Sequence, residues 1–148
     1  MTVIIRSAVP EDACAIQAIE KESATAAHWT REQYRYCFAH RFILVAEEHG
    51  NISGFLCARL VANEWEIENI AVVEAARRRG IAHELLAELM RRAKFQDATA
   101  IWLEVRESNQ AARRLYEKHG FKEAGKRRAY YRNPEEDAVL YSFHLLPK

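Results

Sequence analysis

The feature that most constrains the fold of this chain is a β-rich run that leads through a basic turn into a helix. Residues 67–73 are mostly apolar, and the chain then reads Arg77-Arg78-Arg79-Gly80 before apolar side chains recur at the spacing of one helix face. The recurring residues are Ala82, Leu85, Leu86, Leu89, Met90 and Ala93. A strand, a turn and an amphipathic helix in this order predict a βα unit of an α/β (α+β) domain.

The basic turn has the physical properties of a phosphate site. The first backbone N–H groups of the predicted helix lack intrahelical acceptors, and the helix dipole adds partial positive charge there. Three consecutive guanidinium groups can take bidentate phosphate contacts, and Gly80 lets the backbone approach an anion without an intervening Cβ. Because the sequence contains neither G-x-G-x-x-G nor G-x-x-x-x-G-K-S/T, the turn predicts a pyrophosphate bound in another way. A solvated basic loop in front of an ordinary helix is the alternative.

Length and composition predict one globular domain over residues 1–148. With 49% hydrophobic and 29% charged residues, the chain has enough apolar side chains for a core and does not resemble a disordered protein. A net charge of +1 gives no overall field that would attract nucleic acid, so we expect no nucleic-acid partner. The sequence has no run of 18 uncharged apolar residues and no apolar leader, so we expect no membrane partner. We expect a cytoplasmic protein that is a monomer or a weak dimer.

The cysteines and histidines predict no metal site. Cys14, Cys37 and Cys57 are odd in number and widely spaced, which indicates neither a disulfide framework nor a zinc site. The six histidines include no H-E-x-x-H motif, so we assign no metal. Cys57 falls inside a predicted strand and is expected to be buried rather than nucleophilic.

Periodicity and turn residues predict strands along the chain. Their ranges are 3–6, 42–46, 52–61, 65–73, 99–105, 121–131 and 138–145. One helix separates the strands at 65–73 and 99–105, which predicts parallel neighbours joined by a right-handed crossover. Asn69 is unfavourable in the middle of a strand and predicts a bulge.

Caps predict the remaining helices. Pro10 marks the first turn of an N-terminal helix, and Thr30 with Gln33 has the spacing of a capping box at the start of a second. Asn109 is expected to cap a helix that Gly120 ends.

The basic turn also resembles a known signature. Residues 77–82 (RRRGIA) are similar to the pattern Q/R-x-x-G-x-G/A, at which members of the GNAT superfamily of N-acetyltransferases bind the pyrophosphate of acetyl-CoA. Ala82 stands where a second glycine is more common, and its small side chain still permits close approach. The resemblance implies acetyl-CoA as co-substrate. It also implies the GNAT fold, a mixed central sheet of about seven strands flanked by about four helices, with splayed parallel strands in the middle.

A second stretch resembles one type within that superfamily. Residues 103–121 (LEVRESNQAARRLYEKHGF) are closely similar to the block L-E-V-R-x-S-N-x-x-A-x-x-L-Y-x-x-x-G-F of RimI-type enzymes. Those enzymes acetylate the N-terminal alanine of a small-subunit ribosomal protein. The tail at residues 127–131 (RRAYY) and the pair Trp29-Thr30 are similar to further features of that type. The resemblance therefore implies a protein N-terminus as the acceptor.

The resemblance also implies roles for individual residues. Glu104 would act as general base through water, and Tyr116 would protonate the departing thiolate. Asn109 would contact the cofactor. The other implied cofactor residues are Ile70, Ala71 and Val72, for the pantetheine arm and thioester, and Arg78, Arg79, Gly80, Ile81, Ala82 and His83, for the pyrophosphate.

Each of these residues also has an ordinary structural explanation. A strand glutamate usually lies on a solvated face, and a tyrosine at helical spacing with leucine usually belongs to the core, so the roles of Glu104 and Tyr116 depend on the composite pattern. Asn109 is equally well explained as a helix N-cap. Tyr130 and Tyr131 are either ordinary strand aromatics or part of a loop that closes over an incoming peptide.

The leading hypothesis is acetyl transfer from acetyl-CoA to the N-terminal α-amino group of a protein, with an alanine-starting ribosomal protein as the leading substrate. The expected burial of Cys57 favours direct attack in a ternary complex over an acyl-cysteine intermediate. One alternative is a small-molecule amine acetyltransferase of the same fold. Another is a non-catalytic acyl-CoA-binding module, against which the presence of both Glu104 and Tyr116 argues. Alternation places Glu64, Glu66 and Glu68 on one strand face that could attract a basic peptide.

Overall fold

The computed structural model describes residues 2–22 and 30–145, and within them seven strands form one mixed sheet with four α-helices beside it. The strands are β1 (Ile4–Ser7), β2 (Phe42–Glu48), β3 (Asn51–Val61), β4 (Glu64–Val72), β5 (Ala100–Arg106), β6 (Lys122–Tyr131) and β7 (Glu136–His144). The helices are α1 (Ala13–Glu22), α2 (Arg31–His40), α3 (Ile81–Phe95) and α4 (Gln110–Lys118). The strand order is β1-β2-β3-β4-β5-β7-β6, and the pair β4 and β5 is parallel while the others are antiparallel. The predicted fold class is confirmed.

Two apolar clusters cover opposite faces of the sheet. On one face, Leu85 and Leu89 of α3 pack with Leu44 of β2, and α4 joins the same cluster. On the other face, Ile16 of α1 packs with Ile43 of β2. Because successive strand side chains alternate, Leu44 and Ile43 point in opposite directions. We call these the α3 face and the α1 face.

A bulge interrupts β4 near its middle. Cys57 of β3 pairs with Asn69, whereas the next residue, Ala58, pairs with Ile67, so Glu68 is the extra residue. The bulge predicted at Asn69 is therefore confirmed to within one residue. The extra residue lets Ile67 face α3 while Asn69 faces α1.

The parallel strands β4 and β5 are paired over only part of their length. Pairing runs from Glu64 opposite Ala100 to Ile67 opposite Leu103. Both strands then continue, β4 bound to β3 and β5 bound to β7. Their inner edges beyond this point carry backbone groups that no other described strand pairs. The predicted splay in the middle of the sheet is confirmed.

The helix ends follow the predicted capping chemistry. The Thr30 N–H donates to Oε1 of Gln33 at 2.7 Å, and the Gln33 N–H donates to Oγ1 of Thr30 at 3.2 Å, which is the expected capping box. Gly120, at φ +92°, ends α4. Trp29 lies outside the described residues.

Three further observations concern membrane-spanning helices, metal-binding clusters and the burial of Cys57. None of the helices in the described ranges is both long and apolar enough to cross a bilayer. The same residues contain no group of three or more His, Cys, Asp or Glu side chains placed to hold a metal ion. Cys57 is buried, as expected from its strand position.

Candidate active site

The turn between β4 and α3 contains two residues with left-handed backbone. Arg78 has φ +66° and Gly80 has φ +80°. A residue other than glycine is strained at positive φ, and residues with such strained backbone cluster at functional sites. Gly80 is the N-cap of α3, no described side chain caps this helix, and a Cβ at position 80 would enter open space. The first-turn N–H groups of α3 are therefore left for an anion.

The three arginines of the turn are not equivalent. Nε of Arg77 donates to the Val72 carbonyl at 3.1 Å, and Arg79 forms an ion pair with the buried Glu48. The exposed Arg78 forms no hydrogen bond or ion pair with another described residue. Of the three guanidinium groups predicted to bind phosphate, that of Arg78 is thus the one without a described partner. Arg79 can still contribute its backbone N–H to the turn.

His83, in the first turn of α3, contacts the end of α4. Its Nδ1 lies 2.9 Å from Nε2 of His119, so one ring donates a hydrogen bond to the other. Burial, followed by the neighbouring His83 and Lys118, lowers the pKa of His119. The contact connects the start of α3, next to the basic turn at residues 77–80, with the end of α4, the helix that carries Tyr116. We call residues 77–80 the cofactor turn, because the pyrophosphate of the cofactor is predicted to bind there.

Glu104 lies on β5 immediately after the last parallel pair. Its neighbours Leu103 and Val105 belong to the core of the α3 face, so its carboxylate points to the α1 face. The side chain is 11% exposed, and Oε2 is buried without a hydrogen-bond partner among the described residues. Burial raises the pKa of Glu104; Arg127, 3.5 Å from Oε1, opposes this, and Glu66 adds to it. A desolvated carboxylate with a raised pKa is suited to act as a general base.

Tyr116 lies in the core of the α3 face. It is 3% exposed, and its ring centroid is 5.7 Å from that of Phe121 and 6.2 Å from that of Tyr141. Its hydroxyl forms no hydrogen bond with another described residue. Burial, and then the neighbouring Tyr131, raises the pKa of Tyr116 well above that of a free phenol, so the hydroxyl is protonated at neutral pH.

Tyr131, at the end of β6, interacts with both predicted catalytic residues. Burial, followed by the Glu104 carboxylate, raises the pKa of Tyr131 to about 12, and Tyr131 in turn affects Tyr116. The guanidinium carbon of Arg106 lies 4.5 Å from the centre of the Tyr131 ring. Tyr131 therefore interacts electrostatically with Glu104 and, separately, with Tyr116 in the core of the α3 face.

Asn109 has the structural role that its position predicts. It is the N-cap of α4, and Oδ1 accepts a hydrogen bond from the N–H of Ala112 at 3.2 Å. This bond uses the oxygen of the side chain and leaves the amide NH2 group for another partner. Capping and the predicted cofactor contact are compatible.

The acidic face predicted on β4 is largely neutralised. Glu66 forms an ion pair with Arg59, and Glu68 forms one with Arg41. Glu64 is exposed at the start of the strand. These pairs leave little free negative charge to attract a basic peptide.

Two features of the site are missed by reasoning from sequence. Glu20 of α1 is 2% exposed, and its Oε2 accepts a hydrogen bond from Nδ2 of Asn69 at 3.3 Å. The available signal was that Glu20 follows Ile16 by four residues and so lies on the buried stripe of the helix. The contact between Arg127 and Glu104 joins two strands that are distant in sequence, and no local pattern indicates it.

Comparison with known proteins identifies the family. Residues 12–121 match the model of the acetyltransferase (GNAT) family. The chain belongs to this family. Its members use acetyl-CoA, so the predicted co-substrate and the general activity of acetyl transfer are confirmed.

Individual relatives make the likeness more specific. This acetyltransferase is 33% identical to the ribosomal protein bS18-alanine N-acetyltransferase of Escherichia coli (strain K12), over 84% of this chain and 86% of that protein. It is 31% identical, over 92% of this chain and 91% of the relative, to a Bacillus subtilis (strain 168) protein whose name proposes the same activity. The RimI-type resemblance is confirmed.

Solved structures agree with the fold. The crystal structure of the ribosomal-protein-S18-alanine N-acetyltransferase from Escherichia coli superimposes with a TM-score of 0.89 at 30% identity, over 97% of this chain and 94% of that one. Ard1 from Thermoplasma volcanium superimposes with a TM-score of 0.90 at 24% identity, over 99% of each chain, which supports the fold alone.

Proposed function

We propose that this acetyltransferase transfers the acetyl group of acetyl-CoA to the N-terminal α-amino group of alanine in ribosomal protein bS18, by direct attack in a ternary complex. The observation that carries the proposal is the similarity to the bS18-alanine N-acetyltransferase of Escherichia coli, which extends over most of both chains. The position of Glu104 on β5, immediately after the last residue paired with β4, supports it.

The cofactor turn is proposed to hold the diphosphate of the donor. The N–H groups in the first turn of α3 supply hydrogen bonds, and Arg78 supplies a guanidinium group without another described partner. The backbone of Ile70, Ala71 and Val72 lies at the β4 edge that faces the gap, so we place the pantetheine arm there. The Val72 carbonyl already accepts a bond from Arg77, so its remaining capacity is smaller.

Glu104 is proposed to remove a proton from the acceptor amine through a water molecule. An N-terminal α-ammonium group has a pKa of about 7.7–8.0 and must lose a proton before its nitrogen can attack the thioester carbonyl. Oε2 of Glu104 has no partner among the described residues and can accept a hydrogen bond from that water. Its raised pKa makes Glu104 a better proton acceptor than an ordinary carboxylate.

Tyr116 is proposed to act at the opposite side of the gap. When the C–N bond forms and the C–S bond breaks, the leaving thiolate needs a proton, and the Tyr116 hydroxyl would donate it. The raised pKa keeps this hydroxyl in the acid form throughout the working pH range. Asn109 would orient the donor through its amide NH2 group.

We further propose that the enzyme works in the cytoplasm, as a monomer or weak dimer, without a metal. Ribosomal proteins are made in that compartment. All the proposed functional groups come from one chain, and the proton transfers described above need no metal ion.

Mass spectrometry of a peptide product tests the acceptor. The chain is incubated with acetyl-CoA and a peptide that carries the N-terminal sequence of bS18, and fragmentation locates the added acetyl group. We expect it on the α-amino group of alanine. The matched control is the same peptide with its α-amine formylated, which retains every lysine and should stay unmodified. Acetylation of lysine side chains alone would contradict the proposal. Acetylation of a polyamine in a parallel reaction, while the α-amine of the peptide stays free, would also contradict it.

A further inference from the structure

Arg127 reaches Glu104 across an intervening strand. Glu104 of β5 pairs with Leu140 of β7, and Arg127 of β6 pairs with Ala138 of β7. Leu140 and Ala138 are two residues apart and therefore point to the same face. The guanidinium group lies 3.5 Å from Oε1 of Glu104 even though β7 separates the two residues. The β7 residue opposite Arg127 is Ala138, whose side chain is small.

The contact makes the two oxygens of the Glu104 carboxylate different. Oε1 faces the guanidinium group of Arg127, whereas Oε2 is buried without a hydrogen-bond partner among the described residues. A buried carboxylate oxygen without a partner is unfavourable unless a water or a ligand completes it. Arg127 is the described side chain that contacts Oε1, so it can bias the orientation of the carboxylate and the direction in which Oε2 accepts a proton.

The charges around Glu104 come from three strands. Arg127 on β6 lowers the pKa of Glu104, Glu66 on β4 raises it, and the pKa of Tyr131 is itself raised by the Glu104 carboxylate. The β7 residue opposite Glu104 is the apolar Leu140. Arg127 is thus the described cation that offsets the burial of this carboxylate.

The exposed position of Arg127 limits the size of its effect. The side chain is 58% exposed, and its guanidinium carbon lies 5.5 Å from the centre of the Tyr130 ring. Contact with an aromatic face favours one orientation of a guanidinium group, while solvent screens its charge. We therefore expect a moderate electrostatic effect combined with a geometric one.

We propose that Arg127 is a positioning residue for the base: it contacts Oε1 of Glu104, turns Oε2 toward the water through which the proton reaches the carboxylate, and favours the ionised form of that carboxylate. The kinetic part of this inference rests on the proposed acetyl transfer. The part that concerns the charge state of Glu104 does not, because it is a property of the free protein.

The direct test is a titration of the Glu104 carboxyl carbon by NMR, with the signal assigned by its loss in Glu104→Gln. Because the guanidinium group opposes protonation of Glu104, we expect Arg127→Gln to raise the midpoint by about 0.5–1 pH unit. Arg127→Lys keeps the charge and should return most of the shift. Arg128→Gln is the matched control, because this neighbouring exposed arginine loses the same charge from the same strand. Equal midpoints in the wild type and Arg127→Gln would overturn the proposal.

The kinetic test follows kcat against pH at saturating acetyl-CoA. We expect the acid limb of Arg127→Gln to move to higher pH by the same amount as the titration, with an unchanged KM for acetyl-CoA and with recovery in Arg127→Lys. A loss of kcat that is uniform across pH and is not recovered by lysine would overturn the proposal, since a general structural defect behaves in that way. A wild-type chain that acetylates no α-amine would contradict the proposed function instead, and the NMR titration would still decide the placement of Arg127.

Discussion

The cofactor turn and the surroundings of Glu104 are built in different ways. The turn is a contiguous stretch in which Arg78 and Gly80 have positive φ and the first N–H groups of α3 remain without a side-chain cap. The Glu104 environment is assembled from β5, β6 and β4, and side chains rather than backbone groups define it. The first region offers directed donors to an anion, and the second sets the charge state of one carboxylate.

This difference predicts different consequences of mutation. Substitutions in the turn should change the affinity for the donor and leave the chemical step nearly intact. Substitutions around Glu104 should change kcat and its pH dependence and leave donor affinity nearly intact. A turn variant that lost turnover at full donor occupancy, or a Glu104 variant that lost donor affinity, would break the distinction.

The largest effect is expected at Glu104. Glu104→Gln should lower kcat by about 10³-fold, because the amide cannot accept the proton, while the Kd of CoA stays nearly unchanged. In the wild type, activity should fall as pH decreases through the raised pKa of Glu104, at a higher pH than for an ordinary glutamate, and this limb should vanish in the variant. Rate measurements against pH with calorimetry of CoA binding check both points. Glu64→Gln, at an exposed position on β4, is the control, and near-normal kcat in Glu104→Gln would refute the role of base.

A smaller loss of turnover is expected at Tyr116. Tyr116→Phe should lower kcat by about 10²-fold because the thiolate loses its proton donor. The free energy of unfolding should hardly change, because the hydroxyl has no hydrogen bond with another described residue. Tyr141→Phe is the matched contrast: its hydroxyl accepts from Arg113 at 3.0 Å and donates to Glu117 at 2.7 Å. That variant should lose about 1 kcal/mol of stability and keep its kcat.

Rates and thermal unfolding of these two variants separate catalysis from packing. The result that contradicts the assignment is a Tyr116→Phe enzyme with normal turnover. If Tyr116→Phe lost turnover through unfolding, its Tm would fall below that of the wild type, whereas we expect a lowered Tm only in Tyr141→Phe.

Donor affinity should change at Gly80. Gly80→Ala places a Cβ at φ +80° in the space next to the helix N-terminus, so we expect about a tenfold weaker Kd for CoA and a cost of about 1 kcal/mol in stability. Gly50 is a close control, because it has φ +81° and a Cβ there would also meet open space, but it lies in the turn between β2 and β3. Gly50→Ala should cost similar stability and leave the Kd of CoA unchanged. Calorimetry and chemical denaturation of both variants measure the difference, and equal CoA affinities would remove the turn from the donor site.

The smallest effect is expected for the exposed guanidinium group of the turn. Arg78→Ala should weaken CoA binding by about three- to tenfold at low salt, with a smaller difference at high salt because the interaction is screened. Arg128→Ala removes another exposed arginine, far from the turn in sequence, and should leave the Kd unchanged. Titrations at two ionic strengths provide the measurement. An unaltered Kd in Arg78→Ala would show that the phosphates bind elsewhere.

The same contrast explains which parts of the site could be predicted from the sequence alone. The turn could be predicted because Gly80 and the helix that follows act through local backbone chemistry, and Asn109 could be predicted as a cap for the same reason. The partner of Arg79 could not, because Glu48 comes from another strand and pairs with it only in the folded sheet. Glu104 could be named from its block of sequence, but its unpartnered Oε2 and its contact with Arg127 depend on strand order and register.

The secondary-structure elements and the bulge in β4 could also be predicted from the sequence. The β-rich runs and the amphipathic helix gave the elements, and Asn69 indicated the bulge, because these signals are periodic or local. Where β4 and β5 stop pairing is decided by the whole sheet, since β3 and β7 continue to hold the outer edges of the two strands. The splayed strands were therefore predicted from the resemblance to the GNAT superfamily and not from periodicity.

A crystal structure with bound CoA tests the central claim most directly. We predict that the diphosphate oxygens lie within hydrogen-bond distance of the backbone N–H groups of residues 80–83, and that the sulfur lies in the gap between β4 and β5 beyond Ile67 and Leu103. A diphosphate away from the N-terminus of α3, or a sulfur outside that gap, would contradict the account.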